Sequence, residues 1–595
     1  MNGLDEAEGA AGHRHAGGTG PSPFARWGPM FTILAALGVV AGIVLIAEPI
    51  DDQQAAGPEE AASRGAEDTT DLELPPGVMT YEQAKADGTI DDFDFGDRCD
   101  PDTGTLALPL APQQNCFAKF TGDNGGATAP GVTEDSIKVV AYLNQPGDPI
   151  LEFIYGQIGL NPEPGDAEAT YANFNEIFAN YYEFYGRQVE LIPYTATGNI
   201  SDSVAATADA ETIVRDLQPF AVVNGPQLTN AFADTVSANG VLCVGCATEG
   251  DDWFVDRDPY QWGVQKTLDQ NLVFVAEYLG KRLFGRPAKH AGGPLQDQPR
   301  KIGLIAAQTA EGNSDVLDRF EATLKDDFDA EFANVQLYDD PLALSNTGRA
   351  MLSQFKSEGI TTILFVGDPV APQTLTRIAT EQDYFPEWIT SGSTLVENNV
   401  FSRTYDQEQW AHAFGPTSLF PRVTGGLGSP VGLHKWYFGD DPPGGAASLL
   451  TVPNLQVLFG ALQGAGPDLT AERFRDVLFA SPILPSSPIA PQVSFGNRGF
   501  FPNSDYVALD DMTEISWDPD LVAPDEGGEE GTGAWVFSDG GKRYLPGEWP
   551  DDEPHVFESD TGVASFEEFP DTAVKPPDDW APIAGPRTGK TFGEE

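Results

Sequence analysis

The chain has 595 residues, with 91 Asp and Glu against 33 Lys and Arg and a formal charge of −58. A field of that sign repels nucleic acid and anionic lipid, which excludes nucleic-acid binding as the working function. The plain reading of so acidic a surface is solubility or salt tolerance; the length suffices for two sizeable cores.

In chain order, residues 1–27 are rich in Gly, His and Ala and read as a disordered head, with His13 and His15 as tail composition, not a metal site. Trp27 to Ala47 carries no charge and, at about 1.5 Å rise per residue, is about long enough to cross a bilayer. Arg14 and Arg26 precede it; Glu48, Asp51 and Asp52 follow. The positive-inside rule therefore predicts a single-pass anchor over 28–49, a cytoplasmic head, an extracellular bulk and the lipid bilayer as a partner. The competing reading is a cleaved signal peptide, whose apolar core normally runs only about 7–15 residues. Residues 50–98, rich in Asp, Glu, Pro and Ala, read as a solvated linker.

All four cysteines, Cys99, Cys116, Cys243 and Cys246, follow the apolar run, where an oxidising compartment favours disulfides. Three pairings are possible, and the sequence-local one, Cys99 with Cys116 and Cys243 with Cys246, is expected. A redox Cys-x-x-Cys motif normally opens a helix, whereas Cys243 sits inside a strand-like run. A structural bridge is therefore expected there, and the Cys99 to Cys116 spacing lacks the paired pattern of zinc sites.

From Ser136 a strand, helix, strand rhythm sets in. It predicts strands over 137–143, 189–193, 220–224, 241–245, 302–306, 335–338, 362–366 and 388–390. Helices are expected over 167–185, 203–217, 229–238, 268–282, 314–326, 346–357 and 372–382. Short apolar runs separated by helices imply parallel strands covered on both faces, an α/β, doubly wound architecture. The pattern also echoes itself: Pro219 to Pro226 leads through a helix to Val241 to Thr248, and Thr361 to Pro369 leads through another to Trp388 to Thr394. One fold built twice gives two Rossmann-like lobes over 99–520, with a hinge and an interlobe cleft.

Ligands of open α/β sheets lie beyond the carboxyl ends of the strands. The residues expected there are Asn144, Gln145, Gln227, Thr229, Ala247, Thr248 and Glu249 in the first lobe, and Gln308, Asp368, Ser391, Ser393 and Thr394 in the second. Neutral donors and acceptors of this kind suit a small polar molecule. Their competing role is capping helices, as Ser and Thr often do.

In this order the motifs Gly131 to Val140, Phe220 to Pro226, Ala247-Thr248, Tyr260 to Gly263 and Lys301 to Ala306 resemble the type I periplasmic binding proteins, and more narrowly the leucine/isoleucine/valine-binding branch that serves ABC importers. The resemblance covers about 131–401 well and the next hundred residues loosely. Pro453 to Gly460, Ala490 to Gly496 and Gly540 to Trp549 look like an extended, actinobacterial-type subgroup. The resemblance implies a binding protein that takes an amino acid, an amide or a related polar solute and delivers it to an ABC permease, with no cofactor. It also implies that Ala247 and Thr248 meet a ligand carboxylate. The family's loop serine is missing around Gln227 and Thr229. No second-lobe acid for an ammonium stands at Ser393, although Asp368 is near in motif order, and a buried ammonium without a carboxylate would be costly.

Two rivals remain. A sensor or scaffold could share the fold without transport. An exported enzyme would need an unrecognised constellation: no Gly-x-Ser-x-Gly elbow, His-Glu-x-x-His helix or phosphate loop is present, and His290, His412, His434 and His555 are isolated. Asp251 and Asp252 read as a solvated loop, and no catalytic residue is expected. The acidic extension 521–595 is expected to be partly packed, with short strands within 535–549 and a Pro- and Asp-rich end after Val556 that wraps the surface or hangs loose.

Overall fold

The short apolar runs of the central region become parallel strands, the inner ones buried on both faces and the edge strands Gln188–Thr195 and Asn334–Tyr338 partly exposed. The structure, a computed structural model, describes residues 74–583 apart from 76, 158–161, 309–313, 342, 393–394, 427, 446–447, 527, 529, 559, 572, 574 and 577–579. The first sheet holds β1 (Ser136–Leu143), β2 (Gln188–Thr195), β3 (Ala221–Val223), β4 (Leu242–Val244) and β5 (Gln261–Trp262), all parallel, in the order β2-β1-β3-β4-β5. The second begins with β6 (Ile302–Ala307), β7 (Asn334–Tyr338), β8 (Thr362–Val366), β9 (Glu387–Ile389) and β10 (Ala413–Thr417), parallel in the equivalent order β7-β6-β8-β9-β10. The two halves of the sequence echo are thus β3–β4 and β8–β9, the same pair of positions in each sheet. A short β11 (Arg422–Val423) lies outside both sheets. The second sheet then gains antiparallel β12 (Met512–Pro524), which pairs with β10, β13 (Glu530–Phe537) and the short β14 (Arg543–Tyr544).

Two doubly wound lobes are therefore present, as the rhythm predicted. All eight expected strands and seven expected helices form, with ends shifted by a few residues. Helices Pro149–Gln157, Pro430–Phe438, Ser448–Ala465 and Ala471–Ala480 were not anticipated. The last three return from the second lobe to the first, where Leu433, Leu455, Phe459 and Phe474 join Phe178, Val223 and Val244 in one core. Trp262 of β5, fully buried, sits among Phe474, Phe479, Phe495 and Tyr506 with ring centroids 5.0–5.9 Å away. Such pairs add about 0.5–1.5 kcal/mol each beyond area burial, which explains how a two-residue strand holds its place.

The lobes are joined by three crossovers: residues 263–267 after β5, 418–429 after β10, and 509–511 before β12. One side chain ties them. Lys266, on the first, is buried and donates from Nζ to Ser418 Oγ on the second (3.1 Å) and to the Asp511 carbonyl on the third (2.7 Å). Arg543 reinforces the junction by pairing with Asp511 at 2.9 Å and donating to the Ser418 and Leu419 carbonyls.

Both expected disulfides form, Cys99–Cys116 and Cys243–Cys246, with Cα atoms 5.6 and 5.8 Å apart. The first closes a segment packed on the first lobe, with Leu106, Leu108 and Leu110 in its core.

The expected membrane anchor is corrected. Among the described residues no helix is long and apolar enough to cross a membrane, and the run 28–49, like the head 1–27, lies outside them. The one long apolar helix described, Ser448–Ala465, contains Pro453 and buries Leu455, Leu458, Phe459 and Leu462 in the first-lobe core. The transmembrane helix in the expected fold, the bilayer partner and the single-pass topology, cytoplasmic N-terminus and extracellular bulk, are withdrawn together.

Candidate functional site

The carboxyl ends of the two sheets meet. Ile150 (after β1), Ile200 (after β2) and Leu228 (after β3) form one buried cluster with Val370, which follows β8 in the other lobe. Ile150 belongs to the helix Pro149–Gln157, whose neighbouring Ile154 also packs on the second-lobe core. Asp148 holds that helix in place: its Oδ1 accepts from the Ile150 and Leu151 amides (2.8 and 3.3 Å) and its Oδ2 from the Ile200 amide (2.8 Å). A buried carboxylate that receives three main-chain donors caps the helix and fixes it to the neighbouring loop.

Around this contact the first-lobe loops are closely braced. Gly225 lies so near the Cys246 main chain that an added Cβ would stand 2.9 Å from its carbonyl oxygen, so the loops after β3 and β4 approach as only glycine permits. Gln227 clamps them, donating from Nε2 to the Gly225 and Gly245 carbonyls (2.8 and 3.1 Å). Asn224, in the left-handed region at φ 61°, donates to the Tyr171 hydroxyl and accepts from Asn454 Nδ2 at 2.6 Å. Next to this frame, Ala247 is buried, Thr248 half-buried and Glu249 buried. Among the described residues, neither the Ala247 and Thr248 amides nor the Thr248 hydroxyl bonds to another protein group. Half-buried donors without protein partners are what a polar solute requires.

The other expected residues divide. Asn144 is exposed and Gln145 half-buried after β1. Thr229 Oγ1 accepts from the Ala231 amide at 3.3 Å, the capping role. Gln308 is exposed at the end of β6 and donates its amide to the Tyr338 carbonyl at 2.6 Å. Asp368 is fully buried at the start of the helix Ala371–Glu381. Its Oδ1 accepts from the Val370 and Ala371 amides (both 2.8 Å) and its Oδ2 from the Tyr338 hydroxyl (2.6 Å). Burial pushes its carboxyl up to about 6 despite those three donors. Ser391 is buried after β9; Ser393 and Thr394 lie outside the described residues.

Sequence reasoning missed Ile150, Ile200, Leu228, Val370 and Lys266. The apolar spacing of Ile150, Phe153 and Ile154 is a readable helix signal; the meeting with Val370 has none, because it joins residues 220 positions apart. Two surface cavities, one lined by Ser494, Arg498 and Phe501, the other by Leu108, Tyr182 and Gln456, lie away from these loops and enclose no more than about 10 Å³, too little for a solute. No group of metal-binding side chains occurs among the described residues.

No family model matches the sequence, and no curated protein matches it. Solved structures are similar in shape. A putative branched-chain amino acid ABC transporter protein from Rhodospirillum rubrum has 14% identity and a TM-score of 0.44, covering 64% of this chain and 97% of its own. An R. palustris ABC transporter solute-binding protein in complex with 4-hydroxybenzoate has 14% identity and a TM-score of 0.45, with 67% and 97% covered. A fatty acid ABC transporter substrate-binding protein from Thermomonospora curvata has 14% identity and a TM-score of 0.46, with 72% and 98% covered. Similarity at this level leaves the ligand to be read from the chain's own residues.

Proposed function

We propose that this protein is a non-catalytic solute-binding protein of the type I periplasmic kind, which captures a small polar solute between its lobes and passes it to an ABC-type permease. The observation that carries the reading is the meeting of the two carboxyl-end faces, Ile150, Ile200 and Leu228 against Val370, with Leu228 on a loop that Gln227 clamps to the one leading into the uncommitted donors of Ala247 and Thr248. Those amides and the Thr248 hydroxyl suit a carboxylate or amide oxygen, and the adjacent isoleucines, Leu228 and Val370 supply the apolar walls. We assign Asn144 and Gln145 to the rim of the site and the buried Glu249 and Ser391 to its interior. Gln227 and Thr229 act as braces of the site, and Gln308 as a rim donor. Because Asp368 is committed to its own helix and to Tyr338, an amino-acid ammonium would lack that partner, which favours acids and amides over branched-chain amino acids. The extended-subgroup motifs fit the same reading.

The test is a thermal-shift screen of the purified chain against amino acids, amides, and aliphatic and aromatic acids, since a ligand raises stability as RT ln(1 + [L]/Kd). A saturable shift that Thr248→Ala weakens supports the reading. Turnover of the ligand, or a shift indifferent to Thr248 and to Val370→Asp, overturns it.

A further inference from the structure

Beyond β14 the chain does not stay with the lobe it has completed. The His555 and Phe557 amides donate to Glu514 and Ser516 of β12 (both 3.0 Å), and Val563 exchanges main-chain bonds with Phe537 (2.7 and 2.9 Å), so the chain up to there lies on the second lobe. The next residues form β15 (Ser565–Phe566), which pairs in parallel with β11 inside the second crossover. Thr424 Oγ1 adds a bond to the Phe566 carbonyl at 3.0 Å. The chain then reaches the first lobe, where Phe569, Trp580 and Ile583 pack against its core. Trp436 Nε1 donates to the Trp580 carbonyl (3.1 Å), and the Ile583 amide donates to the Tyr181 hydroxyl (3.2 Å).

Lobes of this kind move by rotation about the few residues that connect them. Residues 418–429 alone would be one such flexible connection, but pairing with β15 makes part of it a two-stranded ribbon. The far end of that second strand is anchored by aromatic and aliphatic side chains on the first lobe. A rotation that separates the lobes must therefore strip β15 from β11 or lift Trp580 and Ile583 from their seats.

We propose that the C-terminal extension is a strap that splints the second crossover and holds the two lobes near the observed angle. The strap is a fourth link beside the three crossovers, and it acts whether or not a solute is bound.

The test needs no ligand. In the full chain, a sequence-specific protease site is placed at the exposed Glu567 and Glu568, between β15 and the first-lobe anchors, and scattering and hydrogen exchange are recorded before and after cutting. A second variant, Phe569→Ala with Trp580→Ala and Ile583→Ala, removes the first-lobe side-chain anchor without a cut. A larger radius of gyration, with exchange across 422–423 and 565–566 faster by about tenfold or more, in either sample that keeps its circular dichroism spectrum supports the strap. If the cut chain matches the intact chain in both measurements, the strap is overturned, and that result leaves the proposed solute binding untouched.

Discussion

Behind β4 in the first lobe, the Ala247 and Thr248 amides have no protein acceptor among the described residues. Behind β8 in the second lobe, the counterpart of β3 and so one strand over in the echo, Asp368 already receives three donors from its own lobe. The two turns stand at neighbouring positions on the carboxyl ends of equivalent sheets, yet one presents unfilled polar groups and the other an apolar Val370 on a satisfied cap. Repeating a fold repeats the set of carboxyl-end turns, and the side chains decide which of them keep unfilled polar groups. The lobes differ in support as well. Both pack aromatic rings, around Trp262 and Phe459 in the first and around Trp388, Trp410 and Trp535 in the second, but the second adds the ion pair of Arg300 with Glu387 at 2.8 Å, both almost inaccessible to solvent.

That contrast can be broken at several points. The largest effect is expected from Glu387→Ala, which strands a buried guanidinium and also removes the acceptor of Thr362 and of the His290 amide. A loss of about 3–5 kcal/mol is expected in denaturant unfolding, with the second lobe unfolding first; equal loss in both lobes would deny their separate support.

The junction between the lobes should respond to pH. Burial pushes the Asp510 carboxyl up to about 7 and the Lys266 ammonium down to about 7. A carboxyl raised from its ordinary 3.8 gives its full contribution below about pH 4 and loses it as pH rises through 7. An ammonium lowered from 10.5 gives its contribution above that value and loses it as pH falls toward 7. Stability from this pair is therefore lowest near neutrality. Asp510→Asn should gain on the parent between pH 4.5 and pH 8 by a few kcal/mol, at about 1.4 kcal/mol per pKa unit; urea titrations at the two values check it.

Smaller changes sharpen the comparison at the site itself. Asp368→Ala removes a helix cap and leaves the Tyr338 hydroxyl unpaired, a cost of about 2 kcal/mol. The Kd of a solute found by the screen should stay within about twofold, under half a kcal/mol. Thr248→Ala should do the opposite, weakening that Kd about tenfold, or 1.4 kcal/mol, with an unchanged melting temperature. Calorimetric titration of both variants, with melting curves, tests whether the turn with unfilled polar groups carries recognition and the satisfied cap carries stability.

Strand and helix positions from Ser136 to Gln382 were legible because a doubly wound sheet repeats one local pattern, and each local apolar run is read over a few neighbours. The echo of β3–β4 in β8–β9 and the Cys243–Cys246 bridge were legible for the same reason. The return of three helices to the first lobe, the two-residue β5 and the antiparallel β12 and β13 were not, since their stability comes from partners hundreds of positions away. Asp368 was read as a second-lobe site residue, but the acceptor role its carboxylate fills depends on Tyr338 and two amides that only the folded turn brings within reach. The amino-acid sequence by itself determined two α/β lobes and the loop of Ala247 and Thr248, because hydrophobic period and turn chemistry are local. Tertiary structure alone decided that Ile150 meets Val370, that Lys266 binds three crossovers and that residues 565–583 run from one lobe to the other, because burial and hydrogen-bond satisfaction are settled between distant parts of the chain.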